Sequence, residues 1–406
     1  MNVSFFIARR LYADPAAQRS SSRPAIRVAL MGIIIGVLVM VLTLCVVVGF
    51  KRTITSKVAC FGAHIQITNF DSNNTFELQP VAISDSLLQH LSSLRHVERV
   101  ETFLTKPCIL KTNDSFQGIV LKGKDALDFL TPNLLLGHLP ETDTEVLCSD
   151  CLCRSLKLSL GDRIDCYSVG EQVQVRRFTI AGIYATGFQE ADQMYVWCRS
   201  NVVRRLNHWN PNQVSGIEIT IDDIAHLEEA GDLVWFATAN RFDEDGNGLY
   251  TQTLQQLNPQ IFAWLDLLDM NVIVIIILML CVSGFNIISG LIILILDSIR
   301  LIGTLKALGA NNLLVRRIFI YEATMLIGKG VILGNVLALI LAAVQYTTHL
   351  LPLDPVTYYV DFVPVAFPWL WLLLLNIGVV LVSVLVLLVP SVVAAHISPA
   401  RVMRFE

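Results

Sequence analysis

The sequence predicts a polytopic α-helical membrane protein with four transmembrane helices and a large α+β extracytoplasmic domain between helices 1 and 2. Three observations predict it. Of 406 residues, 54% are hydrophobic and only 16% charged, against roughly 25% charged in a solvated globule. The apolar residues gather in runs: 28–50, 271–296 and 362–395 contain no Asp, Glu, Lys or Arg. An α-helix needs about 20 such residues to cross roughly 30 Å of hydrocarbon. The basic residues, finally, collect in alternate short connections.

In chain order, residues 1–27 form an N-terminal segment with Arg9, Arg10, Arg19, Arg23 and Arg27 against the single acid Asp14. Span one covers 28–50. It is too long for a signal-peptide core of 7–15 residues and ends in Gly49-Phe50-Lys51-Arg52, so it reads as a retained anchor. Residues 51–270 carry 18 Lys/Arg and 28 Asp/Glu, a mildly acidic soluble composition. Strand-like stretches lie at 64–67, 118–121, 173–180 and 216–220, and amphipathic helical stretches near 82–94, 197–207 and 223–238. Pro132, Gly137 and Pro140 suggest a break near 130–145.

Span two follows at 271–297. The connection 298–317 holds Arg300, Lys306, Arg316 and Arg317. Span three, 318–345, carries Glu322 and Lys329 within an otherwise aliphatic run. The loop 346–365 has Asp354 and Asp361 but no Lys or Arg, span four is 366–390, and the tail 391–406 has Arg401 and Arg404. Positive residues mark cytoplasmic loops. This places both termini and 298–317 in the cytoplasm of a bacterial inner membrane, with 51–270 and 346–365 outside.

The net charge of −4 gives no reason to expect nucleic acid as a partner. No Gly-x4-Gly-Lys-Ser/Thr loop occurs, so ATP has no phosphate cradle in this chain. Cys148, Cys151 and Cys153 cluster, but zinc asks for about four ligands and only three lie here. Seven cysteines in 51–270 cannot all pair, which leaves a disulfide or free thiols open. No catalytic residue, cofactor site or metal site is expected. An intramembrane enzyme would need a convergent set of ionisable groups that the spans do not supply. Gly32 and Gly36 form a G-x-x-x-G that admits close helix packing, either to a second chain or within the bundle. Asn286 and Asn335 lie mid-span, where lipid would not satisfy an amide, so both should face protein.

Arg300-Leu-Ile-Gly-Thr-Leu-Lys-Ala-Leu-Gly-Ala-Asn311 closely resembles the segment before the third span of the lipoprotein-releasing ABC transporter permease family, within the FtsX/MacB-like permease superfamily. Gly32, Gly36, Val48-Gly49-Phe50, Gly62-Ala-His-Ile-Gln-Ile67, Leu160-Gly-Asp-Arg-Ile164, Ala181-Gly-Ile-Tyr-Ala-Thr-Gly187, Phe285-Asn286, Pro390, Pro399 and Arg404 extend the resemblance over the chain. It implies a non-catalytic permease subunit. The implied partners are a cytoplasmic ABC ATPase dimer that binds ATP and Mg2+, a second permease copy or paralogue, a lipoprotein substrate, a periplasmic lipoprotein carrier and the membrane lipids. Relatives in the superfamily instead serve peptide or toxin efflux or activate cell-wall hydrolases. Efflux members commonly carry their ATPase on the same chain, and hydrolase activators have smaller outer domains, so lipoprotein release is favoured.

On this resemblance, Arg300, Leu301, Gly303, Leu305, Lys306, Leu308 and Gly309 form the ATPase-coupling helix. Its apolar stripe is Leu301, Leu305 and Leu308, Gly303 keeps the backbone accessible, and Gly309 supplies a left-handed cap. Val37, Val41 and Cys45 of span one with Leu278 and Phe285 of span two are expected to line a substrate cavity. The turn Thr186, Gly187, Phe188, Gln189 and Glu190 is expected to meet the carrier.

Overall fold

The computed structural model describes residues 3–13, 23–70, 79–112, 115–168, 173–239, 241–243 and 245–395. Asp14, Arg19, Pro399, Arg401 and Arg404, which enter the charge and motif readings, lie outside the described residues. The chain divides into two compact units. One holds Met1–Lys51, Trp264–Pro352 and Val363–Glu406, and the other Arg52–Ala263 and Leu353–Phe362.

The first unit is built on four long helices, Arg23–Gly62 as far as Lys51, Pro259–Asp297 from Trp264 on, and Asn312–Thr348 and Trp369–Ala395. Each is long and apolar enough to cross a membrane. The first continues past position 50 to Gly62, and the second starts at Pro259 rather than 271. Lys51, Arg52 and Lys57 end the apolar run but are good helix formers, so hydropathy stops before the helix does. Pro259 opens its helix where a missing N–H costs nothing.

Ile33, Val37, Met40, Val41 and Cys45 of the first helix form one core with Ile287 and Leu291 of the second, Phe319 and Ile327 of the third, and Leu372 and Val379 of the fourth. Small residues set these contacts. A Cβ at Gly32 would strike the Asn286 amide, and one at Gly36 would strike Ser283 Oγ. A Cβ at Gly334 would lie 2.8 Å from Val37 Cβ and 2.9 Å from the Ile34 carbonyl oxygen. Gly32 and Gly36 thus pack within the chain. Gly334→Val is expected to lower stability in detergent by about 1–3 kcal/mol, as overpacked cores do. An unfolding midpoint equal to wild type would show that these helices do not meet at Gly334.

Asn335 and Asn376 exchange reciprocal amide hydrogen bonds of 2.6 and 3.0 Å between the third and fourth helices. Each amide also donates back to its own helix, Asn335 to Val331 O and Asn376 to Leu372 O. A helix the sequence reading did not find, Val3–Ala13, packs on the third long helix through Phe5 against Tyr321 at 5.7 Å and a fully buried Ala8.

The second unit contains strands β1 (Ile65–Asn69), β2 (Val81–Ala82), β3 (Val97–Lys111), β4 (Phe116–Gly123), β5 (Leu134–Gly137) and β6 (Glu145–Ser149). They are followed by β7 (Arg163–Ser168), β8 (Gln174–Tyr184), β9 (Tyr195–Cys198), β10 (Gln213–Val214), β11 (Gly216–Ile221) and β12 (Leu249–Thr253). The 15-residue β3 serves two layers. Up to Phe103 it pairs with β11, which continues through β1 to β12 as an open sheet. From Leu104 on it pairs with β4 and β7, and the pairs β4–β9, β9–β6, β6–β8 and β8–β7 close a six-stranded barrel.

Alternate residues fill the barrel, as a period of two requires: Leu104, Cys108 and Leu110 on β3, Ile119 and Leu121 on β4, Ile164 and Cys166 on β7, Phe178 and Ile180 on β8. Cys148 and Cys198 join them, with Cys153 from the helix Asp150–Leu156. All nine cysteines are free thiols. Burial pushes the Cys198 thiol well above its ordinary range, as expected of a core hydrophobe. The stretch near 130–145 is not a boundary. It holds β5, whose Leu134 and Gly137 pair with Tyr184 and Gly182 of β8. Gly137 at φ +81° packs against the Ala181 carbonyl, so the punctuation serves a close approach inside one unit.

Candidate functional site

Two places have the chemistry of a working part, one in each unit. In the first unit, the sequence between the second and third long helices folds as the short helix Ile299–Ala307. It ends in a Schellman motif. Gly309, at φ +93°, donates to Lys306 O at 3.0 Å, and Ala310 N donates to Leu305 O at 2.9 Å. Asn311 then caps the next helix, its side chain accepting from Leu313 N at 2.6 Å.

Ile302 is fully buried, whereas Leu301 and Leu305 are half-buried, Thr304 is exposed and Leu308 is 80% exposed. Leu308 is the most exposed large apolar side chain among the described residues. Positions 301, 304, 305 and 308 follow the i, i+3, i+4, i+7 spacing of one helical face. The result is an apolar face that this unit leaves uncovered. Gly303 corrects the sequence reading: it is buried beside Ile302 rather than accessible. The helix turns its smallest residue toward its own unit and its leucines away. Arg300 lies in the helix's first turn and Lys306, half-buried, in its last.

In the second unit, the C-terminal turns of the first long helix end in a dense polar and aromatic joint. Lys122 Nζ, from β4, donates to the Phe61 carbonyl oxygen and to Glu218 Oε1 on β11, the latter at 2.6 Å. Lys124 bridges Glu218 and Glu101, the second at 3.0 Å, and Gln66 Nε2 donates to Glu218 Oε1 at 3.1 Å. Lys122 and Glu218 are almost fully buried, with side chains 2% and 1% exposed. Burial opposes the charge on Glu218, yet Lys122 and Lys124 hold its carboxyl below the usual carboxylate range. Burial likewise pushes the Lys122 ammonium below the usual lysine range despite Glu218. The ammonium sits 5.0–5.4 Å from the ring centroids of Phe103, Tyr195 and Trp197, where the ring quadrupoles favour a cation.

The turn at 186–192 belongs to the same joint. Asp192 accepts from Thr186 Oγ1 at 2.8 Å and Thr186 N at 3.2 Å. Burial pushes its carboxyl upward, against the pull of those bonds and of Lys57. Lys57 Nζ donates to Gly187 O at 3.1 Å and Tyr359 O at 3.3 Å and lies 4.0 Å from Asp361. Phe188 is 5% exposed, with its ring 6.0 Å from Phe61 and 5.5 Å from Tyr359. The carrier-contact reading is therefore corrected. Thr186, Gly187 and Phe188 are tied into this joint, Gln189 is half-buried, and only Glu190 of the five is exposed. The aromatic at position 188 packs inward because Phe61 and Tyr359 offer it a dry pocket.

The cavity reading is corrected as well. Leu278 and Phe285 are 55% and 71% exposed, but Val37, Val41 and Cys45 are fully buried in the bundle core. Val37 is turned onto Gly334 of the third helix, and 41 and 45 share its face one and two turns on. The outward residues of the first helix are Val28, Met31 and Ile35. The charge network of Lys122, Lys124, Glu101 and Glu218 was not found from sequence. Its sign was there, in two lysines at alternate positions of a strand that should bury one face. Residues 122 and 124, the second just past the end of β4, share the face opposite the barrel-filling Ile119 and Leu121 and are buried there all the same, which only a partner set makes tolerable.

Residues 28–234 match the MacB-like periplasmic core domain, and residues 273–399 match the FtsX-like permease C-terminal domain. The chain is similar to the lipoprotein-releasing system transmembrane protein LolE of Haemophilus influenzae, at 23% identity over 431 aligned positions covering 99% of each chain. It is similar, at 23% identity covering 93% of each chain, to the lipoprotein-releasing system transmembrane protein LolC of Xylella fastidiosa. Among solved structures, the periplasmic region of MacB from Actinobacillus actinomycetemcomitans is 14% identical with a TM-score of 0.33, covering 50% of this chain and 95% of that one.

Proposed function

We infer the task of this protein from one premise: the chain belongs to the FtsX/MacB-like permease family, as a multi-pass, non-catalytic membrane subunit of an ABC transporter. Its task is to release lipoproteins from the inner membrane to a periplasmic carrier, driven by a separate cytoplasmic ATPase that binds ATP and Mg2+. The observation that carries this reading is the end-to-end similarity to transmembrane proteins named for lipoprotein release.

Both termini lie in the cytoplasm, on the charge bias of the short loops. The helix Ile299–Ala307 then faces the ATPase with its uncovered leucines. The second unit faces the periplasm. A second copy of the chain or a paralogue completes the bundle.

Lipid chemistry defines what the bundle has to supply. An acyl chain drawn into water loses roughly 0.8 kcal/mol per methylene, so the lipoprotein needs an apolar surface continuous with the bilayer. The outward faces of the first two long helices offer one: Met31 and Ile35, 56% and 52% exposed, and Leu278 and Phe285. These replace the buried trio as the cavity lining. Photocrosslinkers at Met31, Ile35, Leu278 and Phe285 are expected to capture acylated lipoprotein, with capture falling on ATP addition. A crosslinker at buried Val37 is expected to capture only this chain. Labelling of bulk phospholipid alone at all four outward positions would overturn the lipoprotein assignment.

The carrier, on this reading, docks on the β3–β4 and β7–β8 strand pairs. Phe116, Val173 and Val175 are 76%, 71% and 56% exposed there. The second pair is clamped by Arg177, whose guanidinium donates to both oxygens of Asp165 at 2.7 and 3.0 Å.

A further inference from the structure

The helix Leu227–Thr238 packs on β12 and turns a second, chemically distinct side outward. Its inward side is complete: Leu227, Ala230, Gly231, Val234, Ala237 and Thr238 are all buried. Thr238 Oγ1 lies 2.7 Å from Thr251 Oγ1 of β12, and a Cβ at Gly231 would stand 2.9 Å from Thr253 Cγ2. The core asks for no further apolar side chain from this helix, yet two of the outward positions hold large aromatics. Trp235 is 53% exposed and Phe236 71%.

Glu228, Asp232, Trp235 and Phe236 stand at i, i+4, i+7 and i+8, and all four are exposed, so they share one outward stripe. Helical side chains lean toward the N-terminus, which carries both rings back toward the turn that holds Asp232. The rings meet edge to face, with centroids 5.2 Å apart and planes at 76°. Asp232, three and four residues before them, is a neighbour of both. A carboxylate beside two aromatic rings is a recognition element for a cation, because the ring faces carry negative potential.

The surrounding charges have the same sign. Residues 216–254 contain nine acids against the single basic residue Arg241. Several of the acids are already held: Glu218 by Lys122 and Lys124, Asp222 by His96 and His226, Glu229 by Arg95. Glu228 and Asp232 form no ion pair with any described residue. The helix dipole accounts for acids in the first turn, Glu228 and Glu229. Its pull fades beyond that turn, so the helix itself gives no reason for Asp232.

We propose that this stripe docks an extended, arginine-bearing peptide segment of a partner protein. Charge complementarity selects the occupant: the two carboxylates attract guanidinium groups and repel the anionic headgroups of a lipid surface. Spacing selects its form. Glu228 and Asp232 are about 6 Å apart along the helix axis, and alternate side chains of an extended chain are about 6.6 Å apart. Arginines at alternate positions therefore meet both carboxylates. The one at Asp232 also lies against Trp235 and Phe236, where a planar guanidinium stacks on a ring as a lysine ammonium cannot. The remaining ring surface takes the next apolar side chain of the segment. None of these residues belongs to the strand pairs on which the carrier docks, so this is a separate contact surface of the second unit.

The test uses the full chain in detergent, with a fluorescein-labelled Arg-Ser-Arg-Ser-Leu peptide as probe and Glu-Ser-Glu-Ser-Leu as its control. The arginine peptide is expected to bind saturably, more weakly as salt rises, and the glutamate peptide not to bind. Trp235→Ala should weaken binding roughly tenfold, the size of a cation–π contact, and Trp235→Phe should restore most of it. Asp232→Asn should weaken it about threefold. Glu141→Gln, which removes an equal charge from the exposed segment before β6, should leave it unchanged. All these side chains are exposed, so the unfolding midpoint should stay at the wild-type value in each variant. A benzophenone side chain in place of Phe236 should capture the arginine peptide. No saturable binding, equal losses in Glu141→Gln and Asp232→Asn, or capture of lipid or a second copy of the chain in place of the peptide would each overturn the proposal.

Discussion

Leu308→Glu is expected to abolish recovery of the ATPase with the permease from detergent while leaving the permease folded. Leu308 closes the short helix after the second long one and is 80% exposed, so a carboxylate there meets only water in the free subunit. Against an ATPase groove the same carboxylate would be buried without a partner. Losing a buried leucine costs about 1.5–3 kcal/mol, and an unpaired charge adds several more. Together they weaken docking by more than roughly a thousandfold. Leu305→Glu should act in the same direction, with some loss of stability because Leu305 is half-buried. Gly303→Leu is of another kind. It inserts a side chain where Gly303 is buried, and is expected to disturb the seat of the helix on its own unit. Normal ATPase recovery and lipoprotein release with Leu308→Glu would remove this helix from the coupling path.

The four spans were legible because hydropathy reports them directly: 28–50 and 271–296 contain no charge, and nothing but a membrane or a very large core explains such runs. The left-handed stop at Gly309 was legible too, since a glycine after the last periodic leucine has few other uses. The strand near 216–220 could be read from β-branched residues in alternation, and the one near 118–121 from the adjacent Ile119 and Val120. What sequence did not give was the direction of each helical face. Val37, Val41 and Cys45 look as lipid-ready as Met31 and Ile35, and only Gly334 and Gly36, which let neighbouring helices close on particular sides, decide between them. Phe188 misled for a similar reason. A phenylalanine after a glycine in a turn reads as a protruding tip, and its burial depends on Phe61, over a hundred residues earlier, and on Tyr359, more than a hundred and fifty later. The barrel was beyond reach of local pattern, because its closure rests on β3 pairing with both β4 and β7.

Lys122→Met is expected to destabilise the periplasmic unit by about 3–5 kcal/mol, the usual loss when one member of a buried ion pair is removed. The substitution keeps the volume of the stem but takes away the charge that touches both Glu218 and the Phe61 carbonyl. Glu218 is left with Lys124, and the end of the first long helix loses the donor that satisfies its last turn. A double variant, Lys122→Met with Glu218→Gln, should lose much less than the two single losses added together, since the buried charge then disappears with its partner. The acid limb offers an independent reading. The folded carboxyl of Glu218 lies below its unfolded value, so its stabilisation is fully present above the unfolded value, about 4.3. It is lost as pH falls from there through the folded value. Wild type should therefore lose stability more steeply below about pH 4 than Glu218→Gln does. Because the pair joins the helix end to both β4 and β11, lipoprotein release should fall together with stability in Lys122→Met and recover in part in the double variant. Strict additivity of the two single substitutions, or an acid limb identical in wild type and Glu218→Gln, would mean that Lys122 and Glu218 fill space in this joint without acting as its charge lock.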